Sequence, residues 1–117
     1  MNTPETKLWH VTLTVGGDAM ESSLVKAALE RLSNEQPFLL SGRYGVDRVE
    51  VRYWEEAPDC ADAAALALRL WGEHRASAGL PDWHVLGVEV VDRQVFQSRG
   101  GDSGVSLVAP AGGWRPF

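Results

Sequence analysis

Two stretches of this chain alternate strictly between apolar and polar residues, and each gives way to a stretch that repeats every three or four residues. In residues 8–15, LWHVTLTV, Trp9, Val11, Leu13 and Val15 point one way and His10, Thr12 and Thr14 the other. In residues 46–54, Val49, Val51 and Tyr53 oppose Arg48, Glu50, Arg52 and Trp54. A period of two is a strand with one buried face, and a period near 3.6 is a helix with one apolar stripe. Each such face must be covered by another element, so the chain has to lay helices on a sheet.

The remaining elements follow from start and stop residues. Gly16-Gly17 ends the first strand. Asp18 with Glu21 resembles a capping box, and Leu24, Ala28 and Leu32, flanked by Val25 and Leu29, predict a helix over 19–33. Pro37 closes that region. FLLSGRY (38–44), a turn at Tyr44-Gly45 and the strand at 46–54 make a hairpin. Pro58 suits the first turn of a second helix, whose inner stripe is Cys60, Ala63, Ala64, Ala67, Leu70, Trp71 and His74. Gly79 and Pro81 stop it. Residues 83–93 form a last strand, with Leu86, Val88 and Val90 on one side and Val85, Gly87, Glu89 and Val91 on the other.

The order β-α-β-β-α-β over residues 8–93 resembles the ferredoxin-like superfold, an α+β split βαβ arrangement. That resemblance implies a four-stranded antiparallel sheet ordered 4-1-3-2, with both helices on one face. It places the domain at residues 1–97 and leaves 98–117 as a Gly-rich linker and tail. SRGGDSG (98–104) reads as a break, and VSLVAP (105–110) is expected as a short extra strand.

Composition limits the function classes. The 117 residues suffice for one domain, and the net charge of -5 repels nucleic acid and anionic membranes. The outward face of the first and third strands lacks the aromatic pair of an RNA-recognition module. Cys60 is the only cysteine, so no internal disulfide and no thiolate zinc site can form. The N-terminus shows no signal peptide, and no apolar run approaches the ~20 residues needed to cross a bilayer. A cytoplasmic protein is expected. Nine of the eleven basic residues are Arg, which suggests a GC-rich bacterial source. In layout the chain is similar to small bacterial proteins with no assigned role.

Several motifs carry chemistry elsewhere and are read here as structure. GDSG (101–104) is the string around a protease nucleophile, but no histidine stands in a matching context. His10 and His84 start neighbouring antiparallel strands and so lie at opposite ends, which leaves no shared metal site; no metal or cofactor is expected. Glu55, Glu56, Asp59 and Asp62 suit the positive start of the second helix. VGGDAM (15–20) offers backbone N–H groups to an anion, yet lacks the Gly- and Arg-containing loop of acylphosphatases and any phosphate-loop pattern.

The open face of the sheet remains. If the strands pair as that fold requires, Arg52 and Trp54 approach His10, with Glu89 and Val91 beside them. His10, Arg52, Trp54 and Glu89 are the candidate ligand-binding or interface residues; none is assigned as catalytic. The expected function is a non-enzymatic module that binds a partner or small ligand on this face, or self-associates as a homo-oligomer. The alternative is a small cofactor-independent enzyme of the dimeric α/β-barrel type, with His10 as proton acceptor and Arg52 holding an anionic substrate.

Overall fold

The computed structural model describes residues 6–36, 39–99 and 113–117. Its elements run β1 (Lys7–Gly16), α1 (Ser22–Glu35), β2 (Leu39–Tyr44), β3 (Arg48–Ala57), α2 (Cys60–Ala78), β4 (His84–Asp92), α3 (Arg93–Ser98) and β5 (Gly113–Pro116). The sheet order is β4-β1-β3-β2-β5. Its first four strands are antiparallel and have the order of the ferredoxin-like fold; β5 adds a parallel strand at the β2 edge. The class is α+β. Among the described residues no helix is long and apolar enough to cross a membrane.

The core lies between α1, α2 and the helix-side face of the sheet. Val11, Leu13, Val15, Val49, Val51 and Tyr53 are fully buried there against Val25, Leu29 and Leu32 of α1 and Ala67, Leu70 and Trp71 of α2. Burying each Val or Leu side chain contributes roughly 1.5–3 kcal/mol. A smaller cluster of Trp9, Ala57 and Ala63 closes the end where β3 turns into α2.

Local chemistry explains where the helices begin and end. The Asp59 carboxylate accepts from the Asp62 backbone N–H at 2.8 Å and caps α2, so Pro58 precedes the cap instead of occupying the first helical turn. Gly79 ends α2 in the left-handed conformation (φ 67°), and the Arg31 guanidinium of α1 donates to the freed Ala78 carbonyl at 2.6 Å. The expected capping box of α1 does not form. The helix starts at Ser22, and Glu21 at its cap makes no side-chain hydrogen bond to the backbone. Asp18 instead offers its carbonyl oxygen to the Trp83 indole N–H at 2.8 Å. The buried stripe of α1 runs through Val25, Ala28, Leu29 and Leu32, and Leu24 lies outside it at 55 % exposure.

Three further features differ from the expected arrangement or add to it. A β-bulge shifts the β1–β4 register between Thr14 and Val15 and skips Leu86. Val85 therefore packs against the helix-side core and not on the open face, while Leu86 is exposed. The stretch after β4 continues into α3, which packs on β1 and β4. Its Phe96 reaches His10 and Trp54 on the face opposite the long helices. Finally, the added strand within the described residues is Gly113–Pro116; VSLVAP (105–110) and GDSG (101–104) lie outside them.

The Tyr53 hydroxyl is buried with no hydrogen-bond partner among the described residues. Burial, and to a lesser degree the Glu55 charge, pushes its ionisation far above the ordinary range and keeps the phenol neutral. An unpaired buried hydroxyl costs about 1–3 kcal/mol. Tyr53→Phe is therefore expected to raise the unfolding free energy by about 1 kcal/mol in urea titration; a loss of stability would reveal a partner for the hydroxyl.

Glu35 ties α1 to α2. Its Oε1 accepts from Ser77 Oγ at 2.6 Å and lies 2.7 Å from His74 Nδ1. The Ser77 hydrogen bond first, then His74, lower its pKa below 4.5. A carboxylate with a lowered folded-state pKa stabilises the fold above its unfolded value and loses that contribution as pH falls through the folded one. Thermal melts should show wild type losing stability below about pH 4.5, with Glu35→Gln lacking that part of the acid slope. Identical slopes would count against the clasp.

Candidate functional site

The antiparallel registers set two rows of side chains across the open face. Thr12 on β1 pairs with Arg52 on β3 and with Glu89 on β4, giving a polar row Glu89–Thr12–Arg52. One step along, His10 pairs with Trp54 and Val91, giving an aromatic and apolar row Val91–His10–Trp54. Neighbouring strands sit about 4.8 Å apart, so each row spans about 10 Å from β4 to β3.

α3 covers the second row. Asp92 caps it, its carboxylate accepting from the backbone N–H groups of Gln94 and Val95 at 2.7 and 3.1 Å. That cap turns the chain off β4 and over the sheet. Phe96 then stacks on the His10 ring with centroids 4.2 Å apart and an interplanar angle of 26°. Trp54 meets both rings edge-on, at 5.2 Å from His10 and 5.1 Å from Phe96. Aromatic pairs in such geometries add about 0.5–1.5 kcal/mol beyond area burial. The stack leaves His10 only 6 % exposed, on a face otherwise open to solvent.

Beside this stack lies a cleft of about 270 Å³, lined by His10, Thr12, Arg52, Glu89, Val91, Phe96 and Arg99. Carboxylates steer both guanidiniums. Arg52 Nε is 3.4 Å from Glu50 Oε1, which also accepts from Arg43 at 3.2 Å. Arg99, one residue past α3, stands 3.7 Å from Glu89. Such exposed pairs are worth ~0–1 kcal/mol, so they orient the arginines more than they stabilise the fold.

Of the four residues singled out in the sequence, His10, Arg52 and Glu89 line the cleft; Trp54 stands behind His10 and braces its ring. Phe96 and Arg99 escaped the sequence reading because one sits on a helix of only six residues and the other one residue past its end. Asp92, two and three residues before its N–H partners, was the available signal.

The other candidates do not converge. His10 and His84 lie at opposite ends of the β1–β4 pair, and His74 pairs with Glu35 on the helix side. Glu55 and Glu56 belong to β3, while Asp59 and Asp62 serve the α2 cap. Among the described residues no group of three or more His, Cys, Asp or Glu side chains could hold a metal ion. In the 15–20 loop, Gly17 and Met20 donate their N–H groups to the carbonyls of Asp47 and Val46, and the Trp83 ring lies over Gly17. Two of its backbone donors are therefore used in joining β1–α1 to the β2–β3 turn.

No curated protein matches the chain in sequence. Among solved structures, the chain is similar to an acylphosphatase from Coxiella burnetii, at 14% sequence identity and a TM-score of 0.39, over 97% of this chain and 94% of that one. Residues 8–106 match the sequence model of the family described as Domain of unknown function (DUF8830). The match takes in β1 through α3, all of the cleft, and the chain belongs to that family.

Proposed function

We propose that this chain is a cytoplasmic, non-enzymatic module that binds a small molecule in the open-face cleft. One observation carries the reading: two registered rows of side chains and the short helix above them border an open cleft of about 270 Å³ beside a buried histidine. That volume sits just under the ~300–1,000 Å³ of typical ligand pockets. A merely solvated sheet face has no reason to bury His10 under Phe96.

Ligand-observed NMR against a metabolite mixture tests this. Binders are expected for wild type and should be lost in Phe96→Ala, while the core Val11 and Leu13 amides keep their shifts. A mixture that yields no binder for wild type, or equal binding by the variant, would remove the cleft from consideration.

Homo-oligomerisation is part of the proposal. β4 is an edge strand of the described sheet, and Leu86 and Val88 are exposed along it. Light scattering at high protein concentration should give at least twice the 12.8 kDa of the chain, and a strict monomer would count against it. A second copy laid over the open face would also enclose the cleft in the manner of the dimeric α/β-barrel enzymes. His10 beside Arg52 on the cleft wall is what favours that second reading. There His10→Gln would abolish turnover of any substrate found while the chain stays folded by far-UV circular dichroism, at a melting temperature lowered by the lost ring stack; retained turnover would eliminate His10 as the base.

A further inference from the structure

We infer that the ligand of this cleft is a small organic anion, a carboxylate joined to a flat apolar body; this rests on the binding reading above. Two features of the lining select it. The first is sign. Counting the partners that the lining groups pair with, Arg43, Arg52 and Arg99 outnumber Glu50 and Glu89, so the cleft and its border carry one net positive charge in a chain whose net charge is -5. A cation would meet two guanidiniums and a Glu89 carboxylate already beside Arg99.

The second is the separation of polar from apolar. Thr12 and Arg52 lie in one row, Val91 and His10 in the next, and the chain above adds one residue to each, Arg99 just past α3 and Phe96 within it. A ligand that satisfies both rows has a charged end over Thr12 between the two guanidiniums. Its apolar end lies against Val91 and the edge of Phe96. Planar guanidinium forks match a carboxylate better than a lysine would. Because Glu50 and Glu89 already orient the two arginines, the anion joins existing ion pairs and little side-chain order has to be created. The volume of about 270 Å³ suits one ring and a carboxylate.

The test compares phenylacetate, phenylacetamide, phenethylammonium, acetate and inorganic phosphate by 1H–15N NMR titration of the full chain. Phenylacetate is expected to shift the Thr12, Arg52, Val91 and Arg99 amides and to bind roughly ten-fold tighter than phenylacetamide, as a charge-assisted hydrogen bond provides. Arg99→Gln should erase that preference without weakening phenylacetamide, and added salt should weaken only the anion. Phe96→Leu should bring phenylacetate down to the level of acetate.

If phenylacetamide or phenethylammonium binds the cleft as well as phenylacetate, or if Arg99→Gln keeps the preference, the anion assignment is overturned and the cleft remains a binding site. If phosphate or acetate matches phenylacetate in wild type, the apolar half is overturned. If none of the five moves the cleft amides while a metabolite mixture still does, the class is wrong; if neither does, the binding reading itself falls.

Discussion

Trp71→Ala is expected to cost about 3–5 kcal/mol of unfolding free energy, a third or more of what many domains possess. Trp71 is 2 % exposed in the middle of α2. Its ring lies parallel to Trp83 with centroids 6.3 Å apart, and its indole N–H donates to the Pro81 carbonyl at 3.0 Å. Trp83 in turn donates to the Asp18 carbonyl, so one ring stack joins α2, the turn before β4 and the β1–α1 loop. Deleting the indole leaves a cavity at that junction and takes from the Pro81 carbonyl one of its two hydrogen bonds, the other coming from the Trp83 backbone N–H at 2.8 Å. Trp71→Phe separates the two losses: it keeps most of the ring volume and forfeits the hydrogen bond, for about 1–2 kcal/mol. Urea midpoints measured on both variants decide the matter. A cost below about 1 kcal/mol for Ala would mean that the junction collapses without penalty.

Gly42→Ala should be nearly as damaging, for the opposite reason. A Cβ at Gly42 would stand 2.1 Å from Trp114 Cζ3 and 2.5 Å from the Glu50 carbonyl oxygen. The indole can swing away, but the β3 backbone cannot do so without breaking the β2–β3 ladder. Overpacking of this kind costs about 1–3 kcal/mol and occasionally more. The ring displacement has its own signature. Trp114 Nε1 donates to Ser33 Oγ of α1 at 2.8 Å, and β5 pairs with β2 from Gly113 to Pro116. Pushing the ring out should release β5, and Trp114 should become accessible to acrylamide quenching. In a Trp114→Ala background the cost of Gly42→Ala should shrink, leaving only the backbone contact. Equal costs in the two backgrounds would show that the glycine is there for the strand alone.

The same contacts settle where the C-terminus goes. Both of its aromatic residues, Trp114 and Phe117, make contacts within the chain. Trp114 covers Gly42, and Phe117 sits beside the Arg43 and Arg48 guanidiniums at 5.3 and 4.8 Å from its ring centroid. The edge of β2 is therefore filled by β5. A four-residue parallel strand reading GWRP has no alternation to detect and carries a proline. Only its long-range pairing makes it a strand.

The face of β4 was misread in one half for a related reason. Alternation assigns sides correctly as far as the strand is uninterrupted, and Val88, Glu89, Val90 and Val91 fall where that rule puts them. A bulge inserts one residue, and every side chain beyond it changes face. Gly87 beside Leu86 hints at such a place, but the hint does not fix the position. Likewise, α3 is too short for a periodic stripe, and the cover over the cleft is a single Phe within it and a single Arg just past it.

What the amino-acid order determined by itself is the list of long elements, their buried faces and hence the ferredoxin-like sheet with α1 and α2 on one side. Those features follow from side-chain periodicity, which is a local property. From the same pattern came the row that brings His10 opposite Trp54, because antiparallel pairing of known faces leaves few registers. Tertiary structure alone decided the rest: which residue bulges, which strand takes the β2 edge, and that Phe96 folds back onto His10 to turn an open face into a cleft. Each of those depends on contacts between residues far apart in the chain, or on a single insertion, and neither leaves a repeating trace in sequence.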